Sequence, residues 1–159
     1  MKIFFLFISI LFGGSVFCQT ANDTVDVFSF SPDLLDSLIF EEVNRVRSEN
    51  DLTQLFYSDS LNQQANDHVL QMVKLRKTFY SDSTSKVEEC NLKIFFRNSN
   101  PTVTYRELAG RMVKQWLNSP AAARLILGEF FLYGGCGVTY EEWKNISEIY
   151  IYTCFRISP

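Results

Sequence analysis

The stretch Trp116–Val138, WLNSPAAARLILGEFFLYGGCGV, decides the fold because it changes from a helical pattern to a strand pattern. Trp116 is the last buried-face residue of a helical run, and Ser119-Pro120 breaks that run. A short helix is predicted over residues 121–127. A run of strand-forming residues then begins at Gly134 and extends to Tyr140, so a strand is predicted there.

Three helices precede the break at Ser119-Pro120. The first begins at Ser31-Pro32, a capping serine followed by proline at the first helical position, and ends at Asn50-Asp51. The second covers residues 58–77, where apolar side chains recur at helical spacing. The third begins at Thr104, whose hydroxyl and the Glu107 carboxylate have the spacing of a capping box.

The remaining regular segments are strands. Residues 91–97 alternate as a strand does, and residues 149–156 form a second run of strand formers after 134–140. The polar segment Glu141 to Glu148 between the last two runs predicts a hairpin. Helices followed by strands, without β-α-β alternation, favour an α+β fold with an antiparallel sheet.

The N-terminus has the layout of a secretory signal peptide. Lys2 precedes an apolar run from Ile3 to Phe12, which is too short to span a bilayer as a mature helix. Cleavage is predicted after Cys18, so residues 1–18 are the signal peptide and the mature protein is secreted or periplasmic. A lipoprotein anchored through Cys18 is the minor alternative, disfavoured by the bulky Phe17 before it. No other segment is long and apolar enough to span a membrane.

The mature chain is mildly acidic. Without Lys2 the 15 basic residues become 14, against 18 acidic ones. No cluster of Lys and Arg is present to neutralise phosphates, so nucleic acid is excluded as a partner. Residues 19–30 are polar and without pattern, and are predicted to form a flexible lead-in. Residues 31–159 are long enough for one domain with its own core.

Three cysteines remain after cleavage, so at most one internal disulfide forms. If residues 141–148 connect a hairpin, Cys136 and Cys154 lie nearly opposite each other on neighbouring strands. Directly opposed positions approach the Cβ separation that a disulfide needs. A Cys136–Cys154 disulfide and two buried free thiols are both open alternatives, and no cysteine spacing resembles a zinc pair.

The stretch Trp116–Val138 resembles the core signature of the CAP superfamily, also called SCP domains. The pattern W-x-x-S-P-G-H-R-x-x-I-L followed by F-x-x-x-G-x-G-V is matched at Trp116, Ser119, Pro120, Ile126, Leu127, Phe131, Gly135, Gly137 and Val138. Asn44 to Arg47 is similar to the N-x-x-R region of the first family helix. The resemblance implies a three-layer α-β-α sandwich with a central antiparallel sheet.

Many family members hold a divalent metal such as zinc between two histidines and acidic residues in an open cleft. By the resemblance these histidines fall on Ser81 and Ala122, and only Glu89 of the cleft set is retained. Zinc requires imidazole nitrogens from such a site. We therefore expect neither a metal site nor a cofactor, and the cleft candidates are Ser81, Asp82, Glu89 and Ala122.

The single histidine, His68, lies at the edge of the apolar face of the second helix. A partly buried helix histidine with a hydrogen-bond partner is favoured over a catalytic base, and a Ser81–His68–Asp82 triad lacks the usual nucleophile turn. Glu88 and Glu89 point to opposite faces of a strand, so they form no facing carboxylate pair. Solvent exposure is the default expectation for Glu89.

The favoured function is a non-catalytic binding module for a small apolar ligand or a protein partner. The first alternative is a hydrolase with a rebuilt cleft, which requires Ser81, Asp82 and Glu89 to come within hydrogen-bonding distance. The second is a structural or adhesive extracellular domain, which predicts an exposed apolar patch and no cleft.

Overall fold

The computed structural model describes residues 19–81, 86–98, 102–142 and 147–159. The predicted signal peptide therefore lies outside the described residues. The helices are α1 (Pro32–Glu49), α2 (Asp59–Leu75), α3 (Tyr105–Leu117) and α4 (Pro120–Ile126). The strands are β1 (Phe56–Tyr57), β2 (Glu88–Arg97), β3 (Tyr133–Glu142) and β4 (Glu148–Ser158). No helix in the described part of the chain is long and apolar enough to cross a membrane.

The helices begin at the predicted capping residues. Ser31 accepts a hydrogen bond from the backbone N–H of Leu34, with Pro32 at the first helical position. Thr104 and Glu107 form both hydrogen bonds of the capping box. Each cap satisfies backbone N–H groups that have no partner within the helix, which fixes where the helix starts.

The sheet has the strand order β1-β3-β4-β2. Strands β2 and β3 each pair antiparallel with β4, whereas the two-residue strand β1 pairs parallel with β3. Helix α2 covers one face, and α1 and α3 pack on the other with the main hydrophobic core between. The α-β-α sandwich is confirmed, with β1 as a parallel edge strand that the sequence pattern did not predict because it is so short.

Residues 19–30 are ordered rather than a flexible lead-in. Val25, Val27 and Phe30 are buried in the main core, and the backbone N–H of Val25 donates to the carbonyl of Val103 at 2.7 Å. The sequence pattern did not predict that these three apolar residues are buried, because they have polar neighbours and show neither helical nor strand periodicity. The predicted connector 141–148 is also shorter than expected, since β3 extends to Glu142; residues 143–146 lie outside the described residues.

Asp36 on α1 couples the stability of the helical layers to pH. Burial raises the pKa of Asp36 to about 6 from 3.8, partly opposed by the hydrogen bond from Asn62 on α2. The folded state binds a proton at Asp36 more tightly than the unfolded state does. The contribution of this proton to the free energy of unfolding is fully present below pH 3.8 and is lost as pH rises through about 6. We expect the Asp36→Asn variant to gain up to about 3 kcal/mol relative to wild type between pH 4 and pH 7. Urea denaturation across that pH range measures the difference, and parallel pH profiles would contradict it.

Candidate functional site

A cleft of about 290 Å³ opens between α4, the start of β2 and the segment Tyr80–Ser81. Its floor and walls combine apolar side chains with two arginines and two glutamates. The lining residues are Tyr80, Ser81, Val87, Glu88, Glu89, Ala121, Ala122, Arg124, Leu125 and Arg156. The cleft thus joins a helix, two strands and a loop that are far apart in the sequence.

Strand register places a buried ion pair at the base of this cleft. Glu89 on β2 lies directly opposite Arg156 on β4, and directly opposed residues of antiparallel strands share a face of the sheet. The Arg156 Nη2 lies 2.8 Å from the Glu89 Oε2, and the two side chains are only 11% and 8% exposed. Each charge is therefore compensated by the other in a site largely removed from water.

Ser81, in the loop that precedes β2, forms hydrogen bonds with both members of this ion pair. Its backbone N–H donates to Glu89 Oε1 at 2.6 Å and its hydroxyl donates to Glu89 Oε2 at 2.9 Å. The hydroxyl oxygen in turn accepts from Arg156 Nη2 at 2.5 Å. The loop is thus held to the sheet by a cyclic set of hydrogen bonds to both charged groups.

The Glu89 carboxylate has no acceptor capacity left for a ligand. Its Oε1 also accepts from the Asn91 side-chain amide at 3.0 Å, so four donors converge on its two oxygens. A carboxylate offers about four lone-pair sites. Glu89 therefore acts as an anchor for Arg156 and Ser81, and the expectation that it is solvent-exposed is wrong.

His68 lies on α2, directly behind Ser81, with 3% of its surface exposed. Its Nε2 is 2.9 Å from the carbonyl oxygen of Phe79, and its Nδ1 is 3.3 Å from the hydroxyl oxygen of Ser81. A carbonyl oxygen can only accept, so we assign the hydrogen to Nε2; because the Ser81 hydroxyl donates its one hydrogen to Glu89, its approach to the unprotonated Nδ1 is a polar contact and not a second hydrogen bond. The imidazole also stacks edge-on against the ring of Phe79, with centroids 4.7 Å apart. The predicted partly buried histidine with a hydrogen-bond partner is found.

One group of metal-ligand atoms occurs among the described residues. His68, Glu89 and Cys154 are all buried, with ligand atoms within 4.8 Å of one another. These atoms do not suit a metal. The imidazole N–H is bound to a carbonyl, the carboxylate is saturated, and burial raises the pKa of the Cys154 thiol to about 12. The Arg156 cation beside Glu89 adds repulsion.

The structure brings Ser81, Glu89 and Ala122 to one cleft, as the resemblance implies for the positions of the metal site. Asp82, the remaining predicted cleft residue, lies outside the described residues, so the Ser81–Asp82–Glu89 cluster of the hydrolase hypothesis is only partly observed. The adhesive hypothesis predicted a protein without a cleft. The described residues do form a cleft, and they also include exposed aromatic side chains such as Phe56 and Phe130.

The strand register decides between the two alternatives left open for Cys136 and Cys154, and it opposes the disulfide. Cys136 lies opposite Phe155, and Cys154 lies opposite Gly137. This offset of one residue places the two side chains on opposite faces of the sheet. Both thiols are free and buried, as is Cys90, so the alternative of buried free thiols describes the protein.

Sequence reasoning missed Arg156, Asn91 and Arg124. Arg156 is one basic residue near the end of a strand of apolar and aromatic residues, which is a detectable anomaly. Its partner Glu89 could be assigned only with the β2–β4 register, and no turn between these strands fixes that register. Asn91 and Arg124 stand in ordinary polar positions, where nothing in the sequence marks them.

Comparisons with known proteins identify the family and the fold of the chain. The profile of the cysteine-rich secretory protein family, CAP, matches residues 40–154. No curated protein sequence matches the chain.

Three solved structures illustrate the shared fold. Venom allergen-like protein 4 of Schistosoma mansoni is 12% identical with a TM-score of 0.53, covering 79% of this chain and 88% of its own. An SCP-domain extracellular protein of Bacillus anthracis is 18% identical with a TM-score of 0.50, over 82% and 45%. NaASP2 with Zn²⁺ is 11% identical with a TM-score of 0.50, over 75% and 77%. Since the family profile spans most of its length, this chain belongs to the CAP family.

Proposed function

We propose that this protein is an exported, metal-independent binding domain that takes its ligand in the cleft beside Arg156 and does no catalysis. Its export is supported by the signal-peptide pattern of residues 1–18 and by similarity to a family of extracellular proteins. The metal independence of the cleft is supported by one observation. The Arg156 guanidinium bonds both Ser81 and Glu89, which stand at two positions of the family's metal site.

A fixed guanidinium and a divalent cation compete for the same carboxylate. A unit charge and a doubly charged ion about 4 Å apart repel by roughly 8 kcal/mol at an effective dielectric of about 20. NaASP2 is described with Zn²⁺, whereas this chain offers serine, alanine and an already paired glutamate. The cation that the family takes from solution is here replaced by a side chain of the protein itself.

The proposal predicts how metal binding can be restored. We expect no cobalt absorption from wild type, and little from the Ser81→His/Ala122→His double variant, because Arg156 still holds Glu89. Adding Arg156→Gln to that double variant should produce a tetrahedral cobalt spectrum at about one ion per chain, since two imidazoles and the Oε2 atom of Glu89 are then available.

The matched control adds Arg124→Gln to the double variant instead, which removes one cleft charge away from Glu89. One-to-one zinc retained by purified wild type would contradict metal independence. Equal cobalt binding with and without Arg156 would show that the guanidinium is not what excludes the metal.

The second candidate function is ester or amide hydrolysis. It is favoured by the Ser81 hydroxyl, which lies 2.9 Å from Glu89 and 3.3 Å from His68 Nδ1. Against it, the serine oxygen accepts a hydrogen bond from a guanidinium, which lowers its basicity, and the imidazole is buried and tied to Phe79. Turnover of p-nitrophenyl acetate that Ser81→Ala abolishes would establish this second function and overturn the non-catalytic proposal.

A further inference from the structure

We propose that the ligand of this cleft is a small organic carboxylate with a compact apolar body, held by Arg124 at the rim. The inference rests on the proposed function, since it assigns a ligand class to the same cleft. Two features of the cleft support it: the hydrogen-bonding state of its polar side chains, and the apolar side chains that line the rest of it.

Among the described residues, the buried cluster of Ser81, Glu89 and Arg156 offers N–H donors to the cleft but no free side-chain acceptor. The four acceptor sites of Glu89 are filled, as described above. The Ser81 hydroxyl both donates and accepts within the cluster. Arg156 bonds Gln64, Ser81 and Glu89, which uses three of its five N–H groups. A ligand that reaches Arg156 therefore meets N–H donors, while the oxygens of Glu89 are already bonded. The ligand must supply the hydrogen-bond acceptors.

The rim carries a second guanidinium, for which the described residues provide no ion-pair partner. Arg124 on α4 is exposed, lines the cleft and forms no ion pair with any described residue. Arg76, Arg97 and Arg106, by contrast, each pair with a carboxylate. Arginine binds a carboxylate through two parallel N–H donors, so Arg124 is a suitable primary contact for an anionic group.

Four apolar side chains complete the lining of the cleft beside the two arginines. They are Val87, Ala121, Ala122 and Leu125, of which Ala122 is buried. A volume of about 290 Å³ accommodates about ten water-sized groups, which corresponds to a ring or short chain bearing one carboxylate. A histidine at position 122 would fill part of this space, so the alanine leaves room for a ligand body.

Among the described residues that line the cleft, Glu88 is the unpaired acidic side chain and opposes an anion. It is exposed at the rim and pairs with no described residue. Its charge should weaken carboxylate binding without blocking it, because exposed charges are strongly screened. Removing Arg124 and removing Glu88 must therefore change the affinity for an anion in opposite directions, and this difference can be tested.

Three probes of one shape test the assignment: benzoate, benzyl alcohol and benzylammonium, titrated into the mature protein and followed by amide chemical shifts. We expect benzoate to shift residues of the cleft and to bind at least about tenfold more tightly than the alcohol or the amine. Arg124→Gln should weaken benzoate about tenfold, and Glu88→Gln should strengthen it about threefold.

Two further variants separate the cleft from general charge effects. Arg111→Gln removes an equal charge from the exposed face of α3, outside the cleft, and should leave benzoate affinity unchanged. Ala121→Phe places a ring on the exposed cleft wall and should abolish binding without harming the fold.

The outcomes distinguish this inference from the proposed function. If benzyl alcohol or benzylammonium binds as tightly as benzoate and Ala121→Phe blocks it, the cleft is a binding site and the carboxylate assignment is wrong. If Arg111→Gln weakens benzoate as much as Arg124→Gln does, Arg124 is not the contact and the assignment again fails. If no probe shifts any cleft residue, both the assignment and the proposed binding cleft are overturned.

Discussion

Replacing Arg47 by methionine is expected to lower the free energy of unfolding by about 4 kcal/mol, one of the two largest single-residue effects predicted for this protein. Arg47 on α1 is completely buried. It donates to four backbone carbonyls: Thr53 at 2.9 Å, Ile126 at 2.8 Å, Gly128 at 3.0 Å and Phe131 at 3.1 Å. Methionine fills similar space but leaves these acceptors without their donors, at about 1–3 kcal/mol for each that stays dry.

The same bonds connect Arg47 to the cleft. Three of the four carbonyls belong to the connection from the end of α4 to β3, and α4 carries Ala122 and Arg124. Releasing this connection should therefore also loosen the cleft wall, visible as broadened amide resonances in α4. The stability change itself is measured by urea denaturation.

Arg45 supplies the matched control for this experiment. It lies two residues earlier on the same helix, is 53% exposed and pairs with Glu42 and Glu49. Arg45→Met should cost no more than about 1 kcal/mol, because exposed ion pairs contribute little. The cost of Arg47→Lys in free energy of unfolding should lie between those of Arg45→Met and Arg47→Met, since an ammonium has only three N–H donors. If Arg47→Met and Arg45→Met cost the same, the four carbonyls do not depend on Arg47.

Much of the fold could be predicted because its signals are local. Ser31 and Thr104 mark helix starts through bonds to residues within three positions, and Ser119-Pro120 marks the start of α4. The segment 19–30 could not be predicted, because Val25 and Phe30 are held by tertiary contacts with no periodic pattern. The sequence could not decide between a Cys136–Cys154 disulfide and two free thiols, because an error of one residue in register moves a side chain to the opposite face.

The candidate site was predictable in position but not in chemistry. The family pattern led to Ser81, Glu89 and Ala122, which do share a cleft. It could not identify Arg156 as the partner of Glu89, because that pairing depends on a strand register set by the whole sheet. It also could not place His68 behind Ser81, because that contact depends on how closely α2 approaches the sheet.

Two glycines of the family signature determine how closely α2 approaches. Gly135 and Gly137 lie on the face of β3 beneath α2. A Cβ at Gly135 would lie 2.3 Å from the backbone nitrogen of Asn62, and one at Gly137 would lie 2.5 Å from the backbone of Ala65. No described glycine has a positive φ, so these two are required for space rather than for backbone conformation.

Gly137→Ala is therefore expected to lower the free energy of unfolding by at least about 3 kcal/mol, at the upper end of overpacking costs, because backbone atoms of a packed helix must move. The displacement of α2 should also shift the His68 ring resonances, since His68 is one turn further along that helix. Gly110→Ala is the control: its Cβ would meet only the Glu42 side chain, at 3.6 Å. In the interior of α3 that change should stabilise by about 0.5–1 kcal/mol. Urea denaturation compares the two variants, and a Gly137→Ala protein as stable as wild type would show that α2 does not rest on this strand as the structure describes.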